Sequence, residues 1–376
     1  MKNKQFTCKT ALIFLGCILF FSCKSPKEIP IIDLNRIDQS ISLDLADILK
    51  DISIVQIGPD FLLSTTDQIY VTSNYLIILI NNESLHLFSR DGVHIRKLAE
   101  RGNGPGEFYS IRYLFVDEDE CILCYVDGPN FASLSRIDIG SGKVLEPLPI
   151  DFNFLMVKYI NGKVYGLPSF RYAGRSIIAG TFPDSAIVAC SFSLPSGEME
   201  KYQGHHSYSY IQLGSTISSY YDEILLLNYD YSDTLFTLKG RKLSPQYVLH
   251  LSDKMNNTND GGSTCSILFV YNKGIVLSKE TLVPSRPPRP GVMYSGREFF
   301  ALLDRNGNVF KIDNILVMGA QINIKNSENP WILPSLLPVT CGKYGYMLVD
   351  HDFFEARPAN FDPNNDNPII IVGILK

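Results

Sequence analysis

The segment QIYVTSNYLIILINNESLHLFSRDGVHIRKLAE, residues 68–100, repeats one pattern several times. Short apolar runs rich in Ile, Leu, Val and Tyr alternate with turns made of Asn, Asp, Gly and Ser, which is typical of strands joined by hairpins. The segment therefore predicts a four-stranded antiparallel meander. Its four predicted strands are Gln68–Thr72, Tyr75–Ile80, Leu85–Ser89 and Val93–Leu98.

The same pattern returns along the chain about every forty to fifty residues, the period of propeller blades. Because a sheet of this kind has two apolar faces, each sheet must be covered by its neighbours. Helical spacing is confined to Leu43–Lys50. We therefore predict an all-β fold, a six-bladed β-propeller of four-stranded antiparallel blades. The later blades are expected at Tyr113–Ile150, Met156–Tyr202, Tyr220–Leu251, Ser266–Asp313 and Lys343–Lys376.

An additional strand precedes the first blade. Ile52–Ile57 is apolar on both faces, as expected of a strand buried inside a sheet. This strand can add to the last blade beside the sequence PIIIVGIL near the carboxyl end. We therefore predict that an N-terminal strand closes the ring by pairing with the last strand.

Size and composition restrict the class of protein. The chain has 376 residues, of which 45% are hydrophobic and 19% charged. It can therefore bury a large core and is not globally disordered. The formal net charge is −5 and no basic stripe is present, which argues against a nucleic-acid partner.

The first 22 residues have the features of a targeting signal. Three lysines precede an apolar run, Ala11–Phe21, that is too short to span a bilayer comfortably. Ser22 lies directly before Cys23, as in bacterial lipoprotein signals, although Phe20 stands where such signals usually carry leucine. A lipoprotein signal with lipid on Cys23 is predicted, and a plain secretory signal is the alternative.

These features divide the chain into three parts. Lys24 differs from the aspartate of inner-membrane retention signals, so a lipoprotein of this kind is expected at the outer membrane, on its periplasmic or its surface side. The membrane is then a partner through the N-terminal lipid. The predicted parts are a signal peptide at 1–22, a lipidated tether at 23–41 and a propeller domain at 42–376.

The glycine-rich sequence RKLAERGNGPGEFYSI, residues 96–111, has two interpretations. A phosphate-binding loop needs a helix directly after the glycines, so that the helix N-terminus meets the anion. Here a strand-like sequence follows, and the glycines are spaced G-x-G-x-G instead of G-x-G-x-x-G. The sequence therefore favours a joint between two blades.

Several segments of the sequence resemble those of a known protein family. FSRDGVHIRKLAERGNGPGEFYSIRYLFVD is similar to NHL-type repeats, and the chain as a whole resembles the six-bladed β-propeller lipoproteins of Bacteroides-type bacteria. The cysteines of DECILCYVD depart from that pattern, and Ser169–Ser185 is hard to align. The resemblance implies a fold and an envelope location, but no settled activity. The matching pieces are LADILKDISIVQIG, RGNGPGEF, YSDTLFTLKGRKLSPQYVLHL and DNPIIIVGILK.

Binding or scaffolding is the leading functional prediction. Propellers present loops from every blade at one mouth of the central channel, so a protein, glycan or peptide ligand is expected there. The stiff, arginine-bearing loop Arg286–Gly291 suits a carboxylate or sulfate of a ligand, although a solvated insertion is the simpler interpretation. The candidate ligand-binding residues are Arg101, Asn103, Glu107, His205, His206, Arg286 and Arg289.

Two alternative functions stay open. A metal-dependent hydrolase or lyase of the sugar or lactone type would use calcium or zinc on the propeller axis, and a structural subunit of an outer-membrane complex would bind only other subunits. Adjacent His205 and His206 lack the i, i+4 or i, i+2 spacing of a chelate, so no metal ligand is assigned. Because no G-x-S-x-G motif is present, no catalytic residue is assigned either, and whether the protein is an enzyme is left open.

Three further groups have simple structural interpretations. Residues three apart in a strand face opposite sides, so Cys121 and Cys124 are predicted to be buried thiols instead of a metal or disulfide pair. The acidic run at residues 117–120 is expected at a hairpin tip. Asp362–Pro368 is expected to form a cluster of turns.

Overall fold

The protein is all-β, as predicted, within the residues that the computed structural model describes. One short helix, α1 (Leu45–Ile48), interrupts the strands of this part of the chain. The first three strands are β1 (Ile31–Asp33), β2 (Ser40–Asp44) and β3 (Leu49–Gln56). The described residues are 28–64, 67–104, 106–127, 133–149, 154–160, 163–168, 186–193, 199–204, 216–220, 223–227, 234–239, 242–251, 262–284, 293–317, 320–323, 339–341, 343–349, 362 and 364–376.

The strands of these residues form six separate sheets, which we number I to VI in chain order. Sheets I to III are four-stranded antiparallel meanders. Sheet I contains β4 (Gln68–Val71), β5 (Tyr75–Ile80), β6 (Ser84–Ser89) and β7 (His94–Glu100). Sheet II contains β8 (Tyr113–Asp117), β9 (Ile122–Asp127), β10 (Ser133–Asp138) and β11 (Val144–Pro149). Sheet III contains β12 (Phe154–Ile160), β13 (Lys163–Pro168), β14 (Ala186–Ser193) and β15 (Met199–Gly204).

Sheets IV to VI each include a strand from the beginning of the chain. Sheet IV contains β1 together with β16 (Thr216–Tyr220), β17 (Glu223–Leu227), β18 (Thr234–Lys239) and β19 (Lys242–His250). Sheet V contains β2 together with β20 (Gly262–Tyr271), β21 (Gly274–Pro284), β22 (Met293–Asp304), β23 (Val309–Val317) and β24 (Ala320–Asn323). Sheet VI contains β3 together with β25 (Val339–Cys341), β26 (Tyr344–Val349) and β27 (Ile369–Leu375).

Sheet I forms where the sequence predicts it. β5 has the predicted bounds, and the other three strands differ from the predicted ones by one or two residues at their ends. β5 and β6 are joined by a tight turn. Asn81 and Asn82 have φ of 51° and 55° in that turn, and the amide of Glu83 donates to the Ile80 carbonyl at 2.9 Å. Asparagine tolerates this left-handed backbone, which type I′ hairpins require at both central positions.

Successive sheets lie side by side. One edge strand of each sheet contacts an edge strand of the next, from β4 through β8, β12, β16 and β20 to β25. Sheet VI in turn contacts sheet I through β26 and β4. The hydrophobic core therefore lies between the sheets, and the buried side chains of the described residues form three clusters in it.

The segment Ile31–Gln56, which we call the N-terminal strap, crosses three sheets in succession. β1 pairs in parallel with β19 of sheet IV, β2 pairs in parallel with β23 of sheet V, and β3 pairs antiparallel with β27 of sheet VI. The pairing of β3 with β27 is the one predicted from the sequence. The strap therefore connects the beginning of the chain to three sheets built from its second half.

The strap also contributes side chains to the core. Leu34 packs between sheets IV and V, and Leu45 and Ile48 of α1 pack between sheets V and VI. The helix begins at Leu45 because the Asp44 carboxylate caps it, accepting the Ala46 amide at 2.8 Å. Residues 31–33 and 40–41, predicted from the sequence to belong to the lipidated tether, are therefore paired strand residues.

A partly buried ion pair fixes the strap to sheet V. Lys279 on β21 is 6% exposed at its side chain, and its Nζ lies 2.7 Å from Oε2 of Glu298 on β22. The same ammonium donates to Oδ1 of Asn35 in the strap at 3.0 Å. Burial alone would raise the pKa of Glu298, but hydrogen bonds from Lys279 and Thr281 outweigh burial and lower it.

Lys279→Ala is expected to lower the free energy of unfolding by about 2–3 kcal/mol. Removing one partner of a buried pair costs about 3–5 kcal/mol, and the loss is smaller here because Glu298, 31% exposed, can regain water. Urea denaturation measures the change. The control is Lys279→Met with Glu298→Leu, which removes both charges and should be closer to wild type; a double variant as unstable as Lys279→Ala would contradict this account.

Candidate binding face

One edge of sheets VI, I and II carries the connections between them. Here the chain passes from one sheet into the next, and neighbouring segments contact one another. The amide of Asn81 donates to Asp67 Oδ1 at 2.8 Å, and Arg101 Nη1 lies 3.1 Å from Glu83 Oε1. We call this surface the connection face; its residues are 57–64, 67, 81–83, 101–104, 106–112, 127 and 365–367.

The glycine-rich loop of the connection face binds a carboxylate of its own. Oε2 of Glu107 accepts the amide of Gly104 at 2.7 Å, and the amide of Glu107 donates back to the Gly104 carbonyl at 3.1 Å. Gly106 has φ of 83°, in the turn position that type II turns reserve for glycine. A Cβ on Gly102 would overlap the Glu107 carboxylate. The loop is thus closed on itself and joins sheet I to sheet II.

Glu107→Ala is expected to lower the free energy of unfolding by about 1–2 kcal/mol, because the part-buried Gly104 amide loses its acceptor. Glu107→Gln keeps an acceptor oxygen and should lose less. Asn103→Ala, at an exposed position of the same loop, should change stability by less than about 0.5 kcal/mol. The three variants are compared by urea denaturation; an Ala variant as stable as wild type would show that the carboxylate is unimportant to the loop.

Other polar side chains of the connection face also bind backbone groups. Asp67 is buried and accepts the amides of Ser64 and Asn81, both at 2.8 Å. Oδ1 of Asp127 accepts the amides of Tyr109 and Ser110 at 3.0 and 3.1 Å. These carboxylates position loops, and nothing in their geometry indicates acid–base chemistry.

Two buried asparagines hold the connection from sheet VI to sheet I. Nδ2 of Asn365 donates to the Ile57 carbonyl at 2.7 Å. Nδ2 of Asn367 donates to the carbonyls of Gly58 and Phe61, and its Oδ1 accepts the Leu63 amide at 2.9 Å. Both residues lie in the predicted turn cluster Asp362–Pro368. The sequence indicated turns, but not that these two amides hold a segment about 300 residues earlier.

Several other side chains of the connection face are exposed to solvent. Leu62 is 75% exposed and Tyr109 is 51% exposed. The side chain of Arg101 is 48% exposed beside Glu83, and Asn103 is exposed. A surface ion pair of this kind contributes little stability. An aromatic ring, an apolar side chain and a guanidinium are therefore available on this face.

Five of the predicted site residues, Cys23, His205, His206, Arg286 and Arg289, lie outside the described residues. Arg101, Asn103 and Glu107 share one loop, as their sequence positions require. Among the described residues, no group of three or more His, Cys, Asp or Glu side chains is arranged to hold a metal ion.

The two cysteines of C-x-x-C have different surroundings. Cys124 is buried in β9, and burial raises the pKa of its thiol to about 12. Cys121 is exposed, so the prediction that it is buried is wrong. It lies in the turn before β9 with φ of 53°, at the tip of the hairpin formed by the acidic run at residues 117–120, which is placed as predicted.

Sheet I also carries a pair of histidines that was not predicted from the sequence. His86 on β6 and His94 on β7 face each other, with Nδ1 of His86 3.1 Å from Nε2 of His94. Burial lowers the pKa of His86, and nearby His94 and Lys97 lower it further. A signal was present, because the hairpin places His94 opposite Phe88, and His86 lies two residues from Phe88 on the same face.

Comparison with known proteins places the chain in a family. Residues 29–355 match the model of a family described as "Domain of unknown function (DUF4934)". The chain belongs to the DUF4934 family. A search of curated proteins finds no match to this DUF4934 chain.

Solved structures show what this DUF4934 chain is similar to. A crystal structure of a Bacteroides fragilis protein described as exported is 14% identical, with a TM-score of 0.56 over 92% of this chain and 100% of that one. This similarity shows a shared fold. The N-terminal domain of Nup159 is 8% identical, with a TM-score of 0.43 over 93% of this chain and 100% of that one. None of the helical residues described in the DUF4934 chain belongs to a helix long and apolar enough to cross a membrane.

Proposed function

We propose that the protein is an envelope-anchored lipoprotein whose six sheets form a β-propeller that binds a ligand or protein partner through its connection face. The proposal rests on one contrast within that face, between carboxylates that bind backbone amides and large side chains that are exposed. Its carboxylates Glu107, Asp67 and Asp127 accept backbone amides, whereas Tyr109 and Leu62 are exposed. Tyrosine and arginine are enriched at the energetic centres of interfaces.

The contacts between sheets support the propeller. Each sheet lies beside the next, and the succession returns to sheet I through β26 and β4. In a propeller, every blade buries its two faces against two neighbours. The shared sheet of β3 and β27 would then close the ring with strands from both parts of the chain.

The sequence at the beginning of the chain supports the location. Cys23 follows a signal-like apolar segment, and the structurally similar Bacteroides fragilis protein is described as exported. Lipid on Cys23 would hold the protein at the outer membrane. Cys23→Ser should move the protein from the membrane fraction to the soluble fraction and abolish labelling by a palmitate analogue. Retention of both would contradict lipidation.

The connection face is tested by placing a photo-crosslinking residue at Tyr109 in living cells. The matched control is the same residue at Asn306, exposed in the turn between β22 and β23 at the opposite edge of its sheet. A discrete adduct from Tyr109 that is absent from Asn306, and that Leu62→Ser with Arg101→Ala weakens, supports the proposal. The same adduct from both positions, or adducts unaffected by these substitutions, would overturn it.

A further inference from the structure

The histidine pair of sheet I is built from two adjacent strands. His86 lies on β6, and His94 lies on β7, the edge strand of the sheet. Nδ1 of His86 and Nε2 of His94 are 3.1 Å apart. Two nitrogen ligands at about 2.0–2.1 Å from one metal ion stand about 2.8–3.0 Å apart at a right angle and about 3.3–3.4 Å apart in a tetrahedral site. The two ring nitrogens therefore already have the separation of neighbouring ligands on one metal ion.

The other ring nitrogen of His86 has a hydrogen-bond partner, as is common for histidines that bind a metal ion. Nε2 of His86 lies 2.9 Å from Oγ of Ser84. When Nε2–H donates to this hydroxyl, Nδ1 carries the lone pair that faces His94. Metal-binding histidines commonly donate their second N–H to such a partner, which fixes the ring and its tautomer.

The surroundings partly cover the pair but leave it open on one side. The Phe61 ring lies 5.1 Å from the His86 ring and 4.6 Å from the His94 ring, measured between centroids. The nearby charge of Lys97 is compensated by its ion pair with Glu100. His94 is exposed, so its ring can turn toward an ion that lies off the line between the two nitrogens.

We propose that His86 and His94 together bind one divalent transition-metal ion, with water or a ligand donor completing its coordination. Imidazole nitrogens suit Zn²⁺, Ni²⁺ and Cu²⁺, and the affinity of such ligands is highest for Cu²⁺. The ion replaces the proton that the two rings share. The site connects β6 to the edge strand β7 and lies under Phe61, which belongs to the connection from sheet VI.

The experiment titrates the purified protein, without a polyhistidine tag, with Cu²⁺ and Zn²⁺ by calorimetry and records the electron paramagnetic resonance spectrum of the Cu²⁺ form. We expect one Cu²⁺ bound through two imidazole nitrogens. His86→Gln and His94→Gln should each remove one nitrogen from the spectrum and weaken binding. Ser84→Ala, which removes only the orienting hydroxyl, should weaken binding about tenfold.

The control is the double variant His205→Gln with His206→Gln, since adjacent histidines elsewhere in the chain can also bind Cu²⁺. This variant should retain the two-nitrogen spectrum. Circular dichroism checks that every variant is folded. Loss of the spectrum in the control, or its survival in folded His86→Gln and His94→Gln, would overturn the proposal.

Discussion

Deleting residues 42–58 is expected to lower the melting temperature sharply or to abolish the cooperative unfolding transition. The deletion removes β3, α1 and most of β2, and with them six buried side chains, those of Leu43, Leu45, Ile48, Leu49, Val55 and Ile57. At about 1.5–3 kcal/mol each, their burial contributes on the order of 10 kcal/mol, comparable with the roughly 5–15 kcal/mol of a whole domain. Calorimetry should show no transition, or one at a much lower temperature.

Adding the deleted segment as a peptide distinguishes the effect of losing these strap residues from general damage to the fold. Without β3, the apolar strand β27 becomes an unpaired edge, which promotes aggregation. A synthetic peptide of residues 42–58, added during refolding, should pair with β27 and restore the transition in a concentration-dependent way. A deletion variant that melts at the wild-type temperature would refute the role of β3.

Gly274→Ala is expected to lower the free energy of unfolding by about 3–5 kcal/mol. Gly274 begins β21 opposite Asp304 of β22 and has φ of 154°. A Cβ there would overlap the carbonyl oxygen of Leu303 and lie 2.9 Å from Cα of Asp304. Both groups belong to the backbone of the paired strand, so relief requires the sheet to deform.

Gly58→Ala is the matched control, because a Cβ at Gly58 meets nothing within 4 Å. It should be neutral or slightly stabilising, since alanine reduces the conformational entropy of the unfolded chain. Chemical denaturation of both variants gives the comparison. Equal stabilities would mean that the strands around Gly274 are not packed as described.

Local patterns account for what the sequence predicts well. In sheet I each strand is followed by a turn of Asn, Asp or Gly, so neighbouring strands are also neighbours in sequence. The short helix α1 lies within the Leu43–Lys50 segment that shows helical spacing. Strand pairing and turn chemistry of this kind are determined within a few residues.

The strands β1 and β2 were not predicted, because their pairing partners are far away in the sequence. β1 has three residues, too few for a period to be visible. Its partner β19 is distant in sequence, and 215 residues separate Asn35 from the His250 carbonyl that its side chain contacts. No local signal reports such a pairing, although the apolar Ile52–Ile57 run was long enough to predict β3.

The candidate site was harder to predict than the fold. Glu107 was a candidate ligand-binding residue because it lies in a glycine-rich loop, but its carboxylate accepts the Gly104 amide of that same loop. A sequence gives the type of a side chain but not the partner that it finds. The exposed Tyr109 and Leu62, and the facing His86 and His94, become visible only once strand register and loop geometry are known.

The strap has a consequence for biogenesis. Ribosomes produce Ile31–Gln56 long before β19, β23 and β27, so the earliest strands of the chain must wait for the latest ones. Pairings over such separations slow folding, because loop-closure entropy is lost before any contact forms. Until β27 is released, the strap remains a set of unsatisfied strands, and a holding chaperone that keeps it from premature association would raise the yield of folded protein.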